Sequence, residues 1–261
     1  MPPNVAVALY GFVRDVAADN KRFYDLLRNN LPSYIKDMYI YTMSDQHERG
    51  FINTDLKITI ESLKQIYSGF NVIAHIWEYN PEMFKRMVPS QFKDRCDLPG
   101  SCRLYRMYSQ IYHTCKAIEY VLDNEDQDHP YDFIILTRPD VYLNYFSDEV
   151  FSIKDCVSHQ TNVTPLNGFP HICESNDWFI VLPRAYADKR ALCFRNITRY
   201  INEFFIPNNI LPWCEACNAY NDYIHKIPKR VSPYFHATIH FYQNKVQIWE
   251  RIYEEEKQHN K

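Results

Sequence analysis

Only five of the 261 residues are glycine, and they form neither a G-x-G-x-x-G fingerprint nor a G-x-x-x-x-G-K-[ST] phosphate loop. A dinucleotide Rossmann site is therefore disfavoured, and so is a P-loop nucleotide enzyme. Eight cysteines are too few for a disulfide scaffold at this length. Cys214 and Cys217 make one CxxC pair with no second to match it, which argues against a zinc ribbon or a thioredoxin motif. No apolar run reaches transmembrane length. The N-terminal MPPNVAVALYG lacks the basic and long apolar regions of a signal peptide, so a cytoplasmic location is expected. The formal net charge of -3 gives no basic excess for nucleic acid, and no nucleic-acid partner is expected.

What is present is apolar and aromatic. Hydrophobic residues make up 46% of the chain and aromatics 16%, with 21 tyrosines. That is enough for a core, and tyrosine suits half-buried positions where the ring packs and the hydroxyl bonds. The most telling stretch is Tyr131–Leu143, YDFIILTRPDVYL. Phe133–Leu136 reads as a strand buried on both faces, central in a parallel sheet. Pro139 stops the pairing, which leaves Arg138 and Asp140 at the carboxyl end of that strand, where open α/β sheets bind ligands. A fixed cation and a carboxylate two residues apart suit either a surface ion pair or a site for a phosphate and a divalent metal.

Other runs supply the rest of a sheet. Val5–Tyr10, Asp37–Met43 and Val72–Trp77 read as strands, alternating with helical stretches at about Asn20–Leu31 and Thr54–Tyr67. The default is one mainly parallel sheet with helices on both faces. Gly11 follows the first strand at once and Arg14 follows it. Arg14 either pairs with a phosphate or is a solvated loop residue. Glu78–Gly100 is polar, contains proline and shows no clear period, so a flap is expected there. Cys102–Leu122 is the best helix, with Leu104, Tyr108, Ile111, Cys115, Ile118 and Leu122 as its buried stripe. Arg103, Arg106, Gln110 and His113 share another face, either solvated or turned to a phosphate.

Further on, Thr161–Ser175 reads as irregular and as the acceptor side. Asn176 and Asp177 precede a buried run at Trp178–Leu182. Helices are expected at Arg184–Phe205 and Cys214–Lys226, weak alternation at Pro233–Tyr242, and a charged tail from about residue 245 to 261. No repeat or domain boundary is visible, so residues 1–261 read as a single domain.

The order of motifs resembles a family of GT-A-type nucleotide-sugar glycosyltransferases found in large DNA viruses, algae and bacteria. The match runs from Val5 to about Ile197. Tyr10, Gly11 and Arg14 resemble its strand-G-x-x-R opening. Arg103–Tyr112 followed by Tyr131-Asp132 and Thr137-Arg138-Pro139-Asp140 resembles its helix leading into YD…RxD, and Asn176-Asp177-Trp178-Phe179 resembles N-D-x-F. The resemblance implies a GT-A-like domain that moves a sugar from a nucleoside diphosphate sugar to a glycan acceptor. A uridine diphosphate donor is implied, with xylose favoured among the sugars. Tyr10, Gly11, Arg14, Arg106, Arg138 and Asp140 would surround the donor, and Mn²⁺ or Mg²⁺ would touch Asp140. Where most such enzymes carry Asp-x-Asp, Arg138 takes the first acidic position. Neutralising a leaving diphosphate needs such cations, and an inverting transfer needs a carboxylate base, for which Asp177 is chosen over Asp45 and Asp148. The alternatives are a non-catalytic nucleotide-sugar or glycan-binding module and a phosphoryl-transfer enzyme.

Overall fold

The structure is a computed structural model that describes residues 2–11, 13, 19–44, 58–93, 104–151, 157–160, 163–175, 178–210 and 212–239. Arg14, Asp45, Arg103, Asn176, Asp177, His240 and the tail lie outside the described residues.

The first half alternates as expected: β1 (Val5–Tyr10), α1 (Asp19–Asn30), β2 (Asp37–Met43), α2 (Ile60–Ile66) and β3 (Asn71–Trp77). Two short helices follow, α3 (Pro81–Met87) and α4 (Ser90–Lys93), then the long α5 (Leu104–Asn124) and β4 (Phe133–Thr137). β1 pairs in parallel with β2 and with β4, and β2 pairs in parallel with β3. Every residue of β1 and β4 is buried, which is why both read as unbroken apolar runs.

The second half is less regular. β5 (Val141–Phe146) leaves the main sheet. Next come β6 (Ser158–Gln160), β7 (Val163–Leu166), β8 (Phe169–Ser175) and β9 (Phe179–Pro183). A 3-10 turn leads into α6 (Ala187–Tyr200), which continues as a π turn over Ile201–Phe205. α7 (Cys214–Ile224), β10 (Lys229–Val231) and β11 (Phe235–Ile239) close the described chain. The seven-stranded order is β10-β6-β9-β4-β1-β2-β3, with β9 antiparallel to both neighbours. The sheet is thus mainly parallel with one reversed strand. β11 pairs antiparallel with β5 as a separate ribbon.

Alternation along β1 sets the two layers. Val5, Val7 and Leu9 face a core shared with Leu27 of α1, Leu31 just after it, Leu63 of α2 and the β5–β11 ribbon. Ala6, Ala8 and Tyr10 face Ala117, Ile118 and Val121 of α5 and Ala187 and Ala191 of α6. The small alanines let α5 lie close to the sheet. A third cluster joins the first half of α5 to α3, α6, α7 and the β7–β8 hairpin.

Three expectations need correction. The stretch 78–93 is not a structureless flap: Asn80 caps α3, Pro81 occupies its first turn, and Phe84 is fully buried. Thr161–Ser175 is not irregular where it is described, since β7 and β8 form an antiparallel hairpin turned at Gly168, whose φ is +80°. His113 is not on a solvated or phosphate-facing side of α5, because it is 2% exposed and packed.

Candidate functional site

The register gathers the strand ends. Leu9 of β1 lies opposite Ile40 of β2 and Thr137 of β4, and Thr42 lies opposite Ile76 of β3. The carboxyl ends of four parallel strands therefore form one edge, the usual ligand-binding edge of such sheets. Gly11 turns the chain there with φ +92°, a value that side-chain-bearing residues avoid. Its N–H donates to the Tyr41 carbonyl at 3.2 Å, and the Thr42 hydroxyl donates to the Gly11 carbonyl at 2.8 Å. Among the described residues, a Cβ built at Gly11 would meet nothing within 4 Å, so they leave space beside this pinned turn. Tyr10 is placed differently from its neighbour. Its ring is 1% exposed between sheet and α5, so its backbone borders the edge and its ring belongs to the core.

Across β4, Arg138 and Asp140 are brought together. Nε of Arg138 donates to Oδ1 of Asp140 at 2.9 Å, and Nη2 donates to Oδ2 at 2.6 Å. The side chains are 19% and 7% exposed, so this two-point fork is largely sheltered from water. The backbone turn that closes it has the Val141 N–H donating to the Arg138 carbonyl at 3.3 Å. The Thr137 hydroxyl donates to the Trp178 carbonyl at 3.1 Å, which ties the same strand end to the start of β9.

Arg106 comes from a different element. The Tyr39 hydroxyl donates to the Asn124 carbonyl at 3.3 Å, while the Tyr41 hydroxyl meets that of Tyr112 at 3.4 Å. As β2 advances, α5 therefore recedes, and the helix runs antiparallel to the strands. Its first turns project past the carboxyl edge, with Arg106 about 9 Å along the axis beyond Tyr112. Nε of Arg106 is buried with no hydrogen-bond partner among the described residues. Its guanidinium lies 5.9 Å from the Tyr105 ring centre, and Nζ of Lys85 on α3 lies 5.7 Å from the same ring.

An aromatic wall that pattern reading missed supports these turns. Trp77, at the end of β3, donates its indole N–H to Nε2 of His113 at 3.2 Å. Nδ1 of His113 donates to the Ser109 carbonyl, so the neutral tautomer is fixed by its partners. Burial pulls the His113 pKa down to about 4, with the Ser109 bond opposing. Tyr112 and Phe84 pack around the same centre in tilted and edge-on contacts. The available signal was Ser109 and His113 one turn apart inside an otherwise buried stripe.

The carboxylates divide by location. Asp148 is exposed, and its charge falls on Tyr34, which precedes β2 at the opposite, amino edge of the sheet. It is thereby distant from Arg138. Tyr131 and Asp132 also serve that amino edge: the Tyr131 hydroxyl donates to Asp37 at 2.8 Å, and Asp132 accepts from the Asn4 N–H at 2.8 Å. Glu174, near the end of β8, is a carboxyl the sequence reading passed over. Burial raises its pKa, a bond from Trp213 lowers it, and the charge of Glu215 raises it again.

A divalent ion on Asp140 does not fit this arrangement, because both carboxylate oxygens already face a cation. Among the described residues no group of three or more His, Cys, Asp or Glu side chains is placed to hold a metal. No helix among them is long and apolar enough to cross a membrane.

No protein-family model matches the chain. No curated protein matches it either. Solved structures do. Core-mannan synthase A from Aspergillus fumigatus, in its Mn/GDP form, aligns with a TM-score of 0.51 at 9% identity, over 90% of this chain and 74% of that one. Mouse xyloside xylosyltransferase 1, apo form, aligns at 0.44 with 10% identity over 88% and 84% of the two chains. Galactosyltransferase LgtC, in complex with donor and acceptor sugar analogs, aligns at 0.47 with 9% identity over 86% and 72%. At these identities the mannan synthase likeness is one of fold, which is the GT-A-like α/β arrangement expected, and the two lower scores carry no argument.

Proposed function

We propose that the chain is a glycosyltransferase that moves a sugar from a nucleoside diphosphate sugar to an acceptor hydroxyl on a glycan, with residues 1–261 acting as a single domain. The observation that carries this reading is the meeting of a pinned glycine turn, a sheltered arginine–aspartate fork and a half-buried arginine from an incoming helix. All three belong to the carboxyl edge of the parallel strands. Support for the ligand class comes from the fold shared with a mannan synthase whose structure is a Mn/GDP form. The donor is read as a uridine diphosphate sugar, with xylose as the favoured sugar.

Each residue then has a task. The open space beside Gly11 lets the donor approach the backbone closely. Arg138, Arg106 and Arg14 neutralise the diphosphate as the glycosidic bond breaks, a charge-assisted role suited to planar guanidinium. Asp140 orients Arg138 through the fork. Asp177, which stands in sequence just before Trp178, is the general base that takes the acceptor proton.

The test is incubation of the full chain with a panel of nucleotide sugars and simple glycan acceptors, reading nucleoside diphosphate release. Release that depends on acceptor and is confined to one donor type is expected. Nucleotide-sugar binding without any release would support the non-catalytic module instead, and neither binding nor release with any donor would refute the reading.

A further inference from the structure

We infer that this protein holds the diphosphate of its donor with guanidinium groups and needs no divalent ion to do so. The inference rests on the nucleotide-sugar reading above. Its first ground is the state of Asp140, the acidic residue at the strand end where a bridging ion would have to bind. Arg138 grips both of its oxygens, at 2.9 and 2.6 Å. An ion held by both oxygens would need the very space the guanidinium occupies. An ion on one oxygen, at about 2.1–2.3 Å, would bring two positive charges within a few ångströms of a third in a sheltered site. The fork is not a chance rotamer, because Arg138 and Asp140 flank one proline in a turn closed by the Val141 N–H. Arg138 is thus the resident cation of Asp140.

The second ground is where the remaining positive charge lies. α5 runs against the strands and carries Arg106 past the carboxyl edge, and its Nε is buried with no hydrogen-bond partner among the described residues. A buried N–H without a partner is costly unless something else supplies the acceptor. Lys85 stands over the same Tyr105 ring as Arg106. A phosphate oxygen supplies acceptors in number, and a diphosphate is long enough to meet donors from two elements. The charge that a divalent ion would bring is then already present in side chains from the turn after β4 and from α5.

The two arrangements predict opposite results for one substitution. If Asp140 held an ion, Asp140→Asn would weaken nucleotide binding. If Asp140 only holds Arg138, losing its negative charge leaves the site more positive, and binding stays equal or tightens. The experiment is calorimetry of uridine diphosphate, with guanosine diphosphate in parallel, on the full chain in EDTA and in manganese.

For the wild type, dissociation constants in the two buffers should agree to within about threefold. In EDTA, Arg138→Gln should weaken binding by at least about tenfold, the loss expected of a charge-assisted contact, and Asp140→Asn should not weaken it. Binding that vanishes in EDTA and returns with manganese or magnesium would overturn the inference and leave the nucleotide-sugar reading standing. So would a tenfold loss in a well-folded Asp140→Asn protein, or an unchanged constant in Arg138→Gln. No nucleotide binding in either buffer would overturn the nucleotide-sugar reading, and this inference with it. Should Arg138→Gln fail to fold, the wild-type buffer comparison and Asp140→Asn still decide the matter.

Discussion

Acid should loosen the carboxyl edge of the sheet through one buried side chain. His113 is neutral and fully engaged, donating from Nδ1 to Ser109 and accepting at Nε2 from the Trp77 indole at 3.2 Å. Protonation would place a second N–H at Nε2 against that of Trp77. Burial accordingly lowers its pKa from 6.5 to about 4. In the unfolded chain the ring titrates near its ordinary value, about 6.5. Between these two values the unfolded chain binds more protons than the folded one, so stability is fully present above about pH 6.5 and is lost as pH falls through about 4. At about 1.36 kcal/mol per pH unit the full loss is about 3 kcal/mol, of which about 2 kcal/mol is gone by about pH 5. In a chain of this size about 2 kcal/mol corresponds to about 4–8 °C in Tm.

The assay is urea denaturation at about pH 7.5 and about pH 5 on the wild type and on His113→Gln, whose amide oxygen can still accept from Trp77 without titrating. All other side chains are common to the two proteins and cancel in the comparison. The wild type should lose about 2 kcal/mol more than the variant on going to the lower pH. Because Trp77, Tyr112 and Phe84 pack around this ring, nucleotide affinity should fall over the same range in the wild type only. Parallel pH curves for the two proteins would refute the reasoning.

Two further outcomes follow from other parts of the chain. Asp222 is completely buried and holds both Arg190 and Lys229. Burial raises its pKa, but the two cations more than offset this and hold it below the usual carboxylate range. Asp222→Asn should therefore cost about 3–5 kcal/mol in chemical denaturation, because two cations are left buried without their anion, and a loss under 1 kcal/mol would show the network to be dispensable. Asp177→Asn should lower kcat by about 10²–10⁴ while donor affinity in calorimetry stays near wild type, as a base that acts in the transition state requires. Near-normal turnover in the folded variant would turn attention to Glu174, whose raised pKa suits a proton acceptor.

Most of the sheet was legible because buried strands announce themselves. Val5–Tyr10 and Phe133–Thr137 are continuous apolar runs, and both are strands with those bounds. The direction of β9 was not legible, since FIVLP reads the same either way and only its pairing with β4 and β6 makes it antiparallel. Prolines misled twice. Pro81 was read as loop when, behind the Asn80 cap, it marks the first turn of α3. Pro165 and Pro170 were read as irregular, yet a two-stranded hairpin tolerates proline where a central strand would not. His113 was grouped by polarity with Arg106 on one helix face. Polarity alone cannot tell a solvated ring from a buried one whose two nitrogens both have partners.

The site itself was legible in position more than in chemistry. Arg138 and Asp140, two residues apart at a strand end, read equally as an ion pair and as a phosphate-and-metal site, and spacing could not choose. Side-chain closure chooses, because the fork occupies both carboxylate oxygens. An ion pair sheltered from water adds little net stability, since desolvating two charges offsets most of their attraction. A fold gains little by keeping one at a strand end for its own sake. The Arg190–Asp222–Lys229 group lies where α6, α7 and β10 meet, and there its cations and anion lock three elements together. The Arg138–Asp140 contact itself spans a single proline. What it does provide is a guanidinium held at two points just past the end of β4, the strand that pairs with β1 and so ends beside the strand that leads into Gly11, and under the proposed reading a pre-fixed cation is the condition for binding an anion without reorganising the site.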